Sequence, residues 1–245
     1  MNITTATEKN NRPYQEDNFF VHEVNSTILL GVFDGHGGED VSEFCALYSP
    51  QIFDKLKKEP ESTILKRIIR KLNTLTSFPA RVSGSTASLV FINSSHTIAH
   101  VAILGDSPVI IRDANNNIWI APEHNVRSNP AEAKKAVTKY PGFIMQGYLG
   151  DSRKPWYGGL QMSRALGDAD FNSILNRNPE VFQIPINENS WILCGSDGIF
   201  DAGHIDSDLL IHNMIELIDN PDTTADIIIQ NTPKDDNATA ILVRM

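Results

Sequence analysis

Ile28-Leu29-Leu30-Gly31-Val32-Phe33-Asp34-Gly35-His36-Gly37-Gly38 is the stretch on which the reading of this chain turns. Ile28 to Phe33 carries no charge and reads as a buried strand; the abrupt change to Asp-Gly-His-Gly-Gly marks its exit into a tight loop. Asp34 then stands at a strand end, beside a bare backbone turn and an imidazole, and hard divalent cations take oxygen ligands from such places. Asp-Gly is also a common turn dipeptide, and a histidine among glycines is often only a turn residue. What the stretch means therefore depends on its surroundings.

Downstream, Glu39 to Lys57 carries Val41, Phe44, Cys45, Tyr48, Ile52 and Leu56 at helical spacing, with acids at its start and lysines at its end as the helix dipole favours. A second helix has Ile64, Leu65, Ile68, Ile69, Leu72 and Leu75 on its apolar side, closed by Pro79 and Gly84. The period then shortens. Thr86 to Ile92, Thr97 to Leu104, Val109 to Arg112 and Asn117 to Ile120 are short β-rich runs separated by turn residues, the pattern of an antiparallel meander. A helix is expected from Asn129 to Lys139, opened by Pro130. The glycine-rich, aromatic stretch from Pro141 to Gly159 reads as a surface excursion. Trp191 to Cys194 is another strand, followed by helices over Leu209 to Ile218, with Asp206 as cap, and from Thr223 or Thr224 through Gln230; Ala238 to Val243 is strand-like again. Strands, helices and strands in this order predict an α+β fold with mainly antiparallel sheets.

The 245 residues are 41% hydrophobic and 21% charged, ordinary globular proportions, with no Ser/Pro/Gly-rich linker and little visible shift of charge along the chain. One domain over 1–245 and a monomer are the expectation. A formal net charge of -9 opposes a nucleic-acid partner, which needs a basic surface. Cys45 and Cys194 both read as core residues, which fits a reducing compartment. Residues 1–18 are polar, without signal-peptide character, and no segment approaches the ~20 apolar residues of a membrane span, so a cytoplasmic protein without a membrane partner is expected.

Acidic residues recur at equivalent places: Glu16 and Asp17 before a strand, Asp34 after one, Asp106 between two, Asp197 and Asp201 after another, Asp236 before the last. Brought to one end of a sheet sandwich, they would repel one another unless they shared divalent cations, and all-oxygen ligation suits Mg²⁺ or Mn²⁺.

Several ordered motifs carry a resemblance. They are Arg12-Pro13-Tyr14-Gln15-Glu16-Asp17, Val32 to Gly38, Gly84-Ser85-Thr86-Ala87, Leu104-Gly105-Asp106-Ser107, Leu160 to Asp168 with its core Ser163-Arg164-Ala165-Leu166-Gly167-Asp168, Ser196 to Asp201, and Asp236-Asn237. In this order they resemble the metal-dependent, type 2C serine/threonine protein phosphatases. The resemblance implies a four-layer α-β-β-α sandwich, two central antiparallel β-sheets flanked by helices, with metals in a cleft at one end. It implies that Asp34 bridges two Mg²⁺ or Mn²⁺ ions, that the Gly35 carbonyl binds one, that Asp197 and Asp236 complete the second, and that Glu16 and Asp17 hold coordinated waters. A water shared by the two ions would attack phosphoserine or phosphothreonine of protein substrates directly, with Arg12 gripping the phosphate and His36 as general acid. Asp106, Asp197 and Asp201 correspond to a third metal site, and Arg164 to a structural residue paired with a buried carboxylate or carbonyls.

Departures from the family pattern fall on substrate choice. Pro108 stands where relatives commonly have arginine, Glu123-His124 replaces Asp-His, and Lys154-Pro155-Trp156-Tyr157 lies in or beside a flap over the cleft. A catalytically inactive, phosphoprotein-binding relative is the alternative, opposed by an acid at every metal-ligand position matched. A cysteine-dependent phosphatase needs an arginine six residues after its cysteine, where this chain has Phe200 and Gln51.

Overall fold

Alternation of side chains along the strands sets the layers. In the computed structural model, residues 1–77, 82–139, 141–154, 158–200 and 207–245 are described. The chain runs β1 (Asn2–Glu8), β2 (Asn18–Val24), β3 (Thr27–Phe33), β4 (Gly35–His36), α1 (Asp40–Leu56), α2 (Glu61–Thr76), β5 (Gly84–Ser85), β6 (Ala87–Ile92), β7 (Ile98–Leu104), β8 (Val109–Arg112) and β9 (Ile118–Ile120). It continues with α3 (Pro130–Lys139), β10 (Gly142–Met145), β11 (Tyr148–Asp151), β12 (Leu166–Gly167), β13 (Glu180–Pro185), β14 (Trp191–Gly195), α4 (Ser207–Asp219), α5 (Ala225–Gln230) and β15 (Ala238–Arg244). One five-stranded sheet has the order β1-β15-β14-β8-β9 and the other β13-β7-β6-β3-β2, all neighbours antiparallel.

In β3, Ile28, Leu30 and Val32 face the opposite sheet and meet Ile192, Cys194, Ile241 and Val243. Leu29 and Phe33, on its other face, pack against Val41, Cys45 and Phe53 of α1 and Ile64, Ile68 and Leu72 of α2. Both faces are dry, which explains why β3 reads as an unbroken apolar run. On the far side, Leu193, Ala240 and Leu242 are covered by Met214 and Ile218 of α4 and Ile228 and Ile229 of α5. The result is the expected α-β-β-α sandwich of two antiparallel sheets flanked by helices. Each fully buried Leu, Ile or Phe contributes about 2 kcal/mol through removal of apolar surface from water.

Two strands of the five-stranded sheets, β1 and β13, were not expected. β1 alternates threonines rather than aliphatics because it is an edge strand with a half-exposed face, and β13 is the opposite sheet's edge. The stretch from Pro141 to Gly159 is more than a surface excursion: β10 and β11 form a hairpin, and Leu149 is buried with Val126, Ala133 and Ile174. Asp151 anchors it, accepting from Arg153 and from Ser173 Oγ at 2.6 Å, and the Arg153 hydrogen bonds hold its carboxyl well below the usual range. Thr224 caps α5, its hydroxyl accepting from Ile227 N. Asp206, the cap proposed for α4, and Trp156 and Tyr157 of the flap lie outside the described residues. No helix among the described residues is long and apolar enough to cross a membrane.

Candidate metal centre

Strand register carries the acidic turns to one end of the sandwich. Asn18 pairs with Phe33, so Asp17 and Asp34 leave neighbouring strand ends side by side, and Ala87 pairs with Leu104, which adds the Asp106 turn. On the other sheet Gly195 pairs with Ala240 and Glu8 with Ala238, placing Asp197 and Asp236 at the same end. The loops are pressed together: a Cβ on Gly198 would lie 1.9 Å from the Asn237 carbonyl oxygen, so only glycine lets Asp197 approach Asp236.

Asp34 is held by its backbone. Its N–H donates to Thr86 Oγ1 at 3.0 Å, its carbonyl accepts from Thr86 N at 2.9 Å, and the Thr86 hydroxyl is 2.6 Å from Ser107 Oγ. Its partly exposed carboxylate has no hydrogen-bond partner among the described residues. Burial, then the carboxylates of Asp197, Asp17, Asp106 and Asp236, hold its pKa well above the ordinary value.

The neighbours are each tied down. Asp17 is buried and accepts from Ser196 Oγ at 2.6 Å and Thr239 Oγ1 at 2.8 Å; burial, only partly opposed by these bonds, pushes its pKa up to about 7. Glu16 Oε1 accepts from Gly38 N at 2.5 Å, and Glu16 N donates to Asn237 Oδ1 at 2.8 Å. Asp106, buried, accepts from Asn125 Nδ2 at 2.7 Å, while the preceding Gly105 N donates to His124 Nδ1 at 3.1 Å. Asp236 takes the Arg12 guanidinium at 2.5 Å; burial and then Asp197 still raise its pKa against that pull. Arg12 is 47% exposed at the rim.

The structure gives His36 a carboxylate partner. Its Nε2 lies 2.8 and 2.9 Å from the two oxygens of Asp168, and donates there. Burial lowers the ring's pKa, but Asp168, with Asp106 and Glu16 behind it, offsets this and the net direction is up. Gly84 closes this contact, since a Cβ there would fall 2.1 Å from Asp168 Oδ2 and 2.3 Å from His36 Nε2. Arg177 braces the turn from behind, donating to the carbonyls of Ala165 at 2.5 Å, Gly167 at 2.6 Å and Asp168 at 3.3 Å. Asp168 sits at φ +48°, a conformation that a non-glycine residue holds only when its surroundings enforce it. Arg164 pairs, as expected of a structural residue, with Glu132 and Glu180 and donates to the Asn178 carbonyl.

Asp34, Asp17, Asp106, Asp197 and Asp236 are thus brought within each other's field, and Glu16, Arg12 and His36 adjoin them. Asp201 lies outside the described residues. Among the described residues no three acidic, histidine or cysteine side chains form a ready-made ligand set. The donor set nevertheless fits a hard divalent cation: it is all oxygen, carries excess negative charge that raises the carboxyls' pKa values, and centres on an unpartnered Asp34.

The family model for protein phosphatase 2C matches residues 8–228, which include Arg12, Glu16, Asp17, Asp34, His36, Asp106, Asp168 and Asp197 and stop short of Asp236. The chain belongs to the protein phosphatase 2C family. It is 26% identical over 209 residues to the probable protein phosphatase 2C 56 of Oryza sativa subsp. japonica, an alignment covering 79% of this chain and 56% of that protein. The first curated relatives are matched over 35% to 64% of their own length, so the chain spans part of what those proteins contain. Its fold is that of a Caenorhabditis elegans sex-determining protein (TM-score 0.77, 22% identity, 98% of this chain and 64% of that one). It is also that of the catalytic domain of the serine/threonine protein phosphatase PstP, solved with two manganese ions (TM-score 0.66, 15% identity, 98% and 96% covered).

Within a 2C-type centre, the sequence reading missed Asp168 as the partner of His36, Arg177 behind it, and the Ser196 and Thr239 hydroxyls on Asp17. Asp168 lies 132 positions from His36, and no local spacing reports such a contact. Both cysteines are buried and outside any disulfide, and burial pushes the Cys194 thiol up to about 12, away from the thiolate a cysteine nucleophile needs.

Proposed function

We propose that this chain is a Mg²⁺- or Mn²⁺-dependent serine/threonine protein phosphatase acting on phosphoserine and phosphothreonine in proteins. The observation that carries the reading is the unpartnered Asp34 carboxylate set among Asp17, Asp106, Asp197 and Asp236 at the mouth of the sandwich. Asp34, the Gly35 carbonyl, Asp197 and Asp236 would hold two ions, with Glu16 and Asp17 orienting their waters and Asp106 serving a weaker third site. Bound there, the ions supply charge neutralisation for a phosphoryl group and acidify water to a nucleophile.

The chain's own side chains do the rest. Arg12, half-exposed and always charged, turns from Asp236 to the phosphate, whose oxygens match its fork. With Asp168 occupying Nε2 and raising the ring's pKa, His36 would give the departing serine or threonine oxygen the proton on its buried Nδ1, which has no hydrogen-bond partner among the described residues. No covalent intermediate on the protein is required.

Hydrolysis of p-nitrophenyl phosphate and of phosphoserine, phosphothreonine and phosphotyrosine peptides, with Mn²⁺, Mg²⁺ or chelator, is the test. Metal-dependent turnover of the first two peptide classes, abolished in a folded Asp34→Asn variant, is expected. Full turnover in chelator, or tight phosphopeptide binding without turnover under any metal, overturns the reading.

A further inference from the structure

Linear charge balance hides a segregated patch. Seven of the chain's 21 Lys and Arg residues fall between Lys55 and Lys71, against only Glu59 and Glu61, in a protein of net charge -9. In α2, Arg67, Arg70, Lys71 and Thr74 are spaced i, i+3, i+4, i+7 and share its solvent face. Arg67 pairs with Glu59 at 2.8 Å, whereas Lys55, Arg70 and Lys71 have no acidic partner among the described residues.

These cations rim a groove of about 620 Å³ between α1 and α2. Its floor is apolar: Ile52 is buried, Leu56 and Leu75 are half-buried, and Tyr48 stands at one end, stacked on Phe44 at 4.3 Å. A recessed apolar floor under an unneutralised basic rim accepts ridges of side chains rather than a flat surface.

We propose that the α1–α2 groove docks an acidic amphipathic helix of a partner protein, its apolar residues at i, i+3 or i+4, and i+7 on the floor and its carboxylates on Arg70, Lys71 and Lys55. A second copy fits poorly, because a two-fold interface would oppose the two basic rims. A lipid surface fits poorly because Ile52, Leu56 and Leu75 are recessed and cannot insert. The docking face stands apart from the carboxylate centre, and the inference does not rest on phosphatase activity.

The test is a display selection of 16-residue amphipathic peptides on the intact chain, followed by fluorescence anisotropy of the enriched peptides. Asp and Glu flanking the apolar stripe are expected among them, with Kd raised at least tenfold by Arg70→Glu combined with Lys71→Glu and, separately, by Tyr48→Ala. Circular dichroism of each variant confirms an unchanged fold, and all three positions are on the surface. Enrichment of peptides without acidic character, or equal binding by the charge-reversed protein, overturns the proposal. So does displacement of the peptides by phosphatidylserine vesicles that bind wild type more tightly, or a concentration-dependent dimer lost in the charge-reversed variant.

Discussion

Asp168 does two things for His36: it fixes the ring through Nε2 and it holds the charged form. Replacing it with Asn keeps a hydrogen-bond acceptor but removes the largest of the charges that oppose burial, so the His36 pKa falls. In the metal-free Asp168→Asn protein, NMR titration of the His36 ring should show protonation at lower pH than in wild type, and metal-supported turnover should fall tenfold or more. Asp17 offers the converse case. Its carboxyl, raised to about 7 in the folded protein, keeps a proton that the unfolded chain has already lost, so this group's contribution to stability is present below pH ~4 and disappears as pH rises through about 7. Asp17→Asn retains an acceptor for Ser196 and Thr239 without the charge, and should stabilise the chelator-treated protein at pH 8 by about 2 kcal/mol in thermal unfolding. An unchanged or lowered melting temperature at pH 8 would contradict a cost of burying the charged Asp17 carboxylate.

At the scale of elements, α2 is held by Ile64, Leu65, Ile68, Ile69 and Leu72 on the sheet, and the fully buried Ile68 tests that contact. Ile68→Ala should lower unfolding free energy by about 3 kcal/mol in urea, with its exposed basic face unaffected. Gly198→Ala tests the junction of two loops: its methyl group would displace the Asp236–Asn237 turn, and calorimetry should show Mn²⁺ affinity reduced at least tenfold. The elements legible in the sequence were those with strong periodicity, such as β3, α1, α2 and β15. β1 escaped because threonines and exposure blur an edge strand's alternation, and β13 for the same positional reason. The carboxylates were legible because each flanks a strand end. Their internal partners were not, since Asp17 reaches Ser196 across 179 positions and Arg12 reaches Asp236 across 224.

For the whole molecule, the sandwich gathers carboxylate charge at one end that a bound divalent cation would relieve. Mn²⁺ or Mg²⁺ at about 100 times its Kd should therefore stabilise the fold by about 2.7 kcal/mol per site, read as a rise in melting temperature. Asp34→Asn should abolish that rise while melting no lower than wild type in chelator, because it removes a destabilised charge. The pairing of β1 with β15, Asn2 opposite Arg244 and Glu8 opposite Ala238, has a consequence for synthesis on the ribosome. Asp236, and the strand that aligns it with Arg12 and Asp197, emerges long after α1 and α2, and closure between such distant segments is slow. A nascent chain can bury the α1–α2 half of its core while its acidic turns are still incomplete, so capture of the proposed metals would follow that packing rather than lead it.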